Sequence, residues 1–358
     1  MKVIIDEKYH FATFFNPQNG MYVRTGILDE NGCDTSVEPV RASFPHLVDV
    51  GVMGHCTHGL SGKCKKLGIN CYQQGGIINR PNMSLNTFRN IVKQCENRSF
   101  QFALGGRGDP NEHEEFEKIL LECRKHEIVP NYTTSGFGLT ERQIELSSSL
   151  CGRVAVSWYG ADNTIDAIER FFKKKQRVNI HFVITSTSLP DAIDLLRNRF
   201  ICEKVAAIIF LLYKPVGDIN KDQIVPLSHP LLPHFFEQVV ISRQYVDVGF
   251  DSCFVPILLQ HSFPLDLRSI EPCESGRFSC YISESNKMYP CSFIQDERFS
   301  YSLDGHSIED VWNSEKFDRF LCLGEAAECR KCIYLSDCRG GCPGIVSINQ
   351  CRRKENDR

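Results

Sequence analysis

From Phe44 onward, short apolar runs recur between segments whose apolar residues fall at helical spacing. The runs are Leu47–Val52, Phe100–Leu104, Ile128–Thr133, Arg153–Trp158, Val178–Ile184 and Val205–Tyr213. They are rich in β-branched and aromatic residues and short, which predicts buried strands. Helices are predicted over Ser84–Asn97, Glu112–His126, Thr140–Ser148, Ala161–Lys175 and Pro190–Arg199. Strands alternating with helices imply a parallel sheet covered by helices. Six such units predict an α/β fold with a partial (β/α)6 TIM-type barrel, not a closed eightfold one. The stretch Ser242–Ile257 predicts a helix end and a further strand. Upstream, Tyr9–Phe15 and Met21–Ile27 flank Asn16–Gly20, a hairpin pattern with its turn at Asn19-Gly20. From about Leu265 the alternation gives way to a loop-rich, cysteine-rich segment. Three units are therefore expected: a lead-in over 1–45, the barrel over 46–264 and the cysteine-rich unit over 265–358.

The 358 residues are 42% hydrophobic and 24% charged, as in an ordinary globular protein, and the formal net charge is −3. Without a basic footprint, nucleic acid is not an expected partner. No run of eighteen apolar residues exists, and the N-terminus lacks a signal-peptide layout, so no membrane partner and a cytoplasmic location are expected. That setting changes how the 18 cysteines read. In a reducing compartment, clustered thiols point to metal ligation more than to disulfides.

Eight cysteines crowd the end of the chain: Cys273, Cys280, Cys291, Cys329, Cys332, Cys338, Cys342 and Cys351. Soft thiolates in short loops can be aimed at one point, and eight are enough for two four-thiolate centres. Zinc sites are the alternative for such Cys-x2-Cys pairs. A further set, Cys56, Cys64 and Cys71, follows the first barrel strand, where parallel α/β folds place their functional loops. Three thiolates on a four-iron cluster leave one iron open. A three-cysteine zinc site or three unrelated thiols would fit the spacing too. His55 and His58 in this loop are expected to be solvated rather than ligands. The second strand runs into Gly105-Gly-Arg-Gly-Asp-Pro110, whose glycines permit close backbone approach while Asp109 offers a carboxylate to an amine. A tight, acid-capped strand-to-helix turn is the plainer reading.

Taken together, these motifs resemble the radical S-adenosylmethionine (SAM) superfamily. In that family a three-cysteine loop after the first strand holds a [4Fe-4S] cluster, and a Gly-Gly-Glu-Pro type turn binds the methionyl amine. Gly106, Gly108, Asp109 and Pro110 match the turn, with Asp109 in place of glutamate, and the run to Phe116 resembles the family's continuation. Thr134-Ser135-Gly136 matches the Thr-Asn-Gly ending of the third strand, and Val154–Ser157 resembles the fourth, which implies SAM contacts for Ser135 and Ser157. The family's Cys-x3-Cys-x2-Cys is expanded here to Cys56-x7-Cys64-x6-Cys71, followed by Tyr72. Longer loops add little closure entropy, so the ligand set can survive.

Cys273–Cys351 resembles the SPASM extension of peptide-modifying radical SAM enzymes. Asn286 stands at its turn-glycine position, and Cys329-x2-Cys332-x5-Cys338-x3-Cys342 matches its spacing. The resemblance implies one auxiliary cluster on Cys273, Cys280, Cys291 and Cys342, and a second on Cys329, Cys332, Cys338 and Cys351. Cys253, in Gly249-Phe-Asp-Ser-Cys253, is a candidate hydrogen-atom donor or substrate-linking thiol, weighed against core packing. The implied cofactors are three [4Fe-4S] clusters and SAM. The implied activity is hydrogen abstraction from a ribosomally made precursor peptide, giving a thioether or carbon–carbon cross-link or an epimerised residue. A flavodoxin or ferredoxin would donate electrons, and a separate leader-binding protein would suit the short lead-in. Formylglycine formation on sulfatases and a zinc-stabilised interaction protein are the competing expectations.

Overall fold

In the computed structural model, residues 1–69, 71–160, 162–217, 220–261, 264, 266–324 and 327–351 are described. The expected boundary at Leu265, the helix start at Ala161 and the tail 352–358 lie outside them. The chain opens with a small antiparallel sheet of β1 (Lys2–Asp6), β2 (Phe11–Phe15) and β3 (Tyr22–Arg24), in that order. The β2–β3 hairpin turns through Asn16–Met21, with Gly20 at φ +77, as the sequence predicts. β1 was not predicted, because its five residues show no clean alternation. Phe15 stacks on Phe100 with ring centroids 5.2 Å apart, fixing the small sheet against the barrel.

The main sheet has ten strands, and its order explains the site. β4 (Leu47–Met53), β5 (Gln101–Gly106), β6 (Val129–Thr134), β7 (Val154–Ser157), β8 (Asn179–Ile184), β9 (Ala207–Leu212) and β10 (Asp247–Phe250) run parallel in sequence order. The six expected barrel strands and the further strand are all present. On the other side of β4 lies β11 (Ser279–Ile282), also parallel, followed by antiparallel β12 (Lys287–Tyr289) and β13 (Tyr301–Ser302). The cysteine-rich segment thus continues the barrel's sheet.

Helices α1 (Thr57–Leu60) and α2 (Lys63–Lys66) lie in the loop after β4, and α3 (Leu85–Cys95), α4 (Phe116–Lys125), α5 (Glu141–Leu150), α6 (Asp162–Lys173) and α7 (Leu189–Arg197) cover the outer face. Their starts have chemical causes. The Ser84 side chain accepts from Thr87 N, and Thr140 with Gln143 forms a capping box. α4 starts later than predicted because Pro110–Glu112 forms a separate 3-10 turn. Val48, Val50, Val156, Ile180, Ile208 and Phe210 are sealed in one core beneath these helices. Burying each such side chain contributes about 1.5–3 kcal/mol. Alternation turns the intervening residues toward the barrel interior, where Thr133 Oγ1 meets His181 Nδ1 at 3.3 Å.

Candidate active site

β4 delivers Cys56 directly to the rim. Cys56 caps α1, its Sγ accepting from Gly59 N at 3.2 Å. α2 carries Cys64, and Cys71 Sγ accepts from Gly75 N at 3.4 Å. The expanded spacing is therefore two short helical turns, not slack chain. A Cβ on Gly75 would sit 3.6 Å from the sulfurs of both Cys56 and Cys71, and Cys64 is in electrostatic reach of each. Burial pushes the Cys56 thiol up to about 11, and it raises Cys64 too. A bound cation would reverse that preference and favour thiolates.

The glycine turn packs onto this loop. Gly106 (φ +107) and Gly108 (φ +119) have backbone conformations that favour glycine, and a Cβ on Gly108 would lie 2.6 Å from His55 O and 3.2 Å from Cys56 Cα. Asp109 Oδ2 accepts from Ser135 Oγ (2.6 Å), Ser135 N (2.8 Å) and Thr134 Oγ1 (2.9 Å). Burial pushes its pKa above the usual carboxylate value, and these donors oppose the rise. Pro110 opens the 3-10 turn behind it. Ser157 ends the next strand, with its hydroxyl bonded to Tyr159. Asp109 and Ser135 are thus joined directly, and Ser157 stands one strand further on.

The loop histidines pair with protein groups. His58 Nε2 lies 3.1 Å from Glu112 Oε1 and 3.9 Å from Asp109 Oδ2, and Thr57 Oγ1 donates to Glu112 at 2.5 Å. Contrary to expectation, His58 is buried. The first inserted turn therefore braces the glycine turn. His55 Nδ1 faces Arg80 O at 3.3 Å.

At the head of the C-terminal ladder, Cys253 joins the thiols. Cys253 and Cys342 hydrogen-bond, and Cys273 and Cys291 lie in electrostatic reach of both. Cys280 is not with them. It pairs in register with Val48, is 1% exposed and packs in the core near Cys95. Strand alternation sets this: Tyr281 takes the barrel side of β11, so Cys280 must face the helices. Of the expected set Cys273, Cys280, Cys291 and Cys342, the fold brings three together with Cys253 and places Cys280 apart from them. Cys329, Cys332, Cys338 and Cys351 line one cleft with Pro256 and Leu259. Among the described residues, no three His, Cys, Asp or Glu side chains close tightly around a single metal-ion position.

No family model matches the chain. The mycofactocin maturase MftC of Mycobacterium ulcerans is 22% identical over 331 residues, spanning 86% of this chain and 87% of that protein. The PqqA peptide cyclase of Methylocella silvestris is 23% identical over 262 residues, 66% of this chain and 67% of its own. Among solved structures, Streptococcus suis SuiB bound to S-adenosylmethionine superposes with TM-score 0.66 at 16% identity, over 84% of this chain and 74% of that one. The enzyme anSMEcpe with bound AdoMet and the Kp18Cys peptide gives 0.61 at 19%, over 83% and 89%. The resemblance to radical SAM enzymes with a SPASM extension holds.

Within that frame, two links missed by the sequence reading join the barrel rim to the extension. Arg107, inside the glycine turn, donates to Gln73 O at 3.0 Å and to Glu284 at 2.7 Å, with Arg107 and Glu284 side chains 6% and 3% exposed. Glu284 belongs to the β11–β12 turn. Lys214, after β9, donates to Asp251 at 2.6 Å and lies 4.6 Å from the ring centre of Phe293 in the extension. The available signals were an arginine between two glycines and a lysine at a strand end. Neither names its partner. Among the described residues, no helix is long and apolar enough to cross a membrane.

Proposed function

We propose that this chain is a radical SAM peptide maturase. It would act in the cytoplasm on a ribosomally made precursor and install a thioether or carbon–carbon cross-link. The observation that carries the reading is the convergence of Cys56 and Cys71 on Gly75, with Gly108 pressed against the backbone of Cys56. Soft thiol donors around a gap fit an iron–sulfur cluster. Cys56, Cys64 and Cys71 would hold it. When bound with SAM and reduced, that cluster supplies the electron that cleaves SAM to methionine and a 5′-deoxyadenosyl radical.

The chain's own residues do the rest. The glycine turn leaves its backbone open to the methionyl group, and Asp109 Oδ1 is available to accept from its amine while Oδ2 is anchored by Thr134 and Ser135. Ser157 would contact SAM from the next strand. Two further [4Fe-4S] clusters would be held by Cys253, Cys273, Cys291 and Cys342, and by Cys329, Cys332, Cys338 and Cys351. Cys253 would then be a ligand rather than a hydrogen-atom donor. A flavodoxin or ferredoxin would supply electrons, and a separate protein could bind the leader. A maturase and a peptide cyclase among the sequence relatives favour this over formylglycine formation.

Anaerobically reconstituted protein with SAM and dithionite should release 5′-deoxyadenosine and show visible iron–sulfur absorption. A short peptide encoded beside the gene should lose two hydrogens on cross-linking. A colourless protein that leaves SAM intact would sink the proposal.

A further inference from the structure

The barrel interior contains a carboxylate that the proposed reaction leaves unused. Asp49 lies midway along β4 between Val48 and Val50, both sealed beneath the helices. Alternation turns it inward, with Ala103 of β5 and Tyr281 of β11 as its register partners. Among the described residues, no cation or hydrogen-bond donor pairs with it. Burial alone pushes its carboxyl up to about 7.

Tyr281 beside it is in a similar condition. Its hydroxyl is buried without a partner and lies over Gly51, where a Cβ would come within 2.5 Å of it. Tyr72, directly after Cys71, is in electrostatic reach of Asp49 and Tyr281, and its ring centroid is 4.3 Å from that of Phe293. The neighbouring cations are already engaged: Lys214 with Asp251 at 2.6 Å and over the Phe293 ring at 4.6 Å, and Arg107 with Glu284 at 2.7 Å.

A carboxylate beside the buried Tyr281 ring and in electrostatic reach of Tyr72 is a composition suited to an ammonium or guanidinium group, through charge and ring quadrupole together. An aliphatic occupant would leave the carboxylate and the hydroxyl desolvated and unpaired. An anion would be repelled. We propose that Asp49, with Tyr281 beside it and Tyr72 in reach, receives a Lys or Arg side chain of the peptide substrate inside the barrel. The peptide origin of that cation rests on the maturase reading above.

The test incubates reconstituted protein and its Asp49→Asn form with SAM and a randomised pentapeptide library containing norleucine, then sequences retained peptides by mass spectrometry. The unaltered protein should enrich Lys and Arg over norleucine roughly fivefold, and Asp49→Asn should abolish the preference. n-Butylguanidinium, but not n-butanol, should reverse the enrichment in the unaltered protein, which makes this arm independent of any variant's folding. Absence of basic enrichment overturns the inference, as does enrichment that survives Asp49→Asn. Loss of SAM affinity in Asp49→Asn overturns it too, by giving the carboxylate to SAM. Peptide-free formation of 5′-deoxyadenosine is read in parallel. Its absence from the unaltered protein defeats the maturase reading, while peptide retention still reports on Asp49.

Discussion

The Cys56–Cys71 loop and the C-terminal ladder use the same side chain under different constraints. The loop's three thiols hang from one strand end, and their approach depends on backbone contact with Gly75 and Gly108. The ladder brings Cys253, Cys273, Cys291 and Cys342 together from segments on both sides of the barrel junction, so long-range packing decides which thiols are neighbours. Spacing is a poor guide in the first case because inserted residues fold into compact turns. In the second it carries no sign that the next cysteine after Cys273, Cys280, is turned away by its strand.

The largest effect is expected at Gly108. Alanine there combines φ +119 with a Cβ 2.6 Å from His55 O, so Gly108→Ala should shift the loop and cut SAM cleavage roughly a hundredfold. Gly305→Ala, with open space at its Cβ and far from the turn in sequence, is the control. Equal rates of 5′-deoxyadenosine formation in the two variants would break the picture of a pinched loop. Next comes the ladder. Cys253→Ala should remove about four irons per chain, and Cys280→Ala should leave the iron count unchanged. The opposite pattern would restore the spacing-based set.

A smaller effect should appear at the link between the regions. Glu284→Ala leaves Arg107 buried without its carboxylate, which costs about 3–5 kcal/mol of stability. A thermal-unfolding midpoint within one degree of the unaltered protein would show that the two regions are not coupled there.

Much of the fold was legible in the chain. The barrel strands announce themselves as β-branched runs, and Ser84 and Thr140 mark helix starts through their capping chemistry. Asp109 and Ser135 were likewise visible, because a glycine-rich turn and a strand-end serine are local patterns. β11 was hidden as a barrel neighbour because four residues carry no sign of which strand they will join. The same blindness concealed the place of Cys253, which follows from the meeting of β10 with a segment beyond it. His58 looked solvated because nothing local reveals Glu112 opposite it.

The position of β11 beside β4 has a consequence for biogenesis. β4 is the first of the parallel strands to leave the ribosome, yet one of its edges is covered only by β11, which is made after all the others. At about 5–20 residues per second, that edge waits roughly 10–50 s for its partner. During the wait, a row of unpaired backbone groups flanked by valines is open to pairing with other nascent chains. Nascent chains stalled before residue 279 should accordingly depend on chaperones, and that dependence should fall once β11 has emerged.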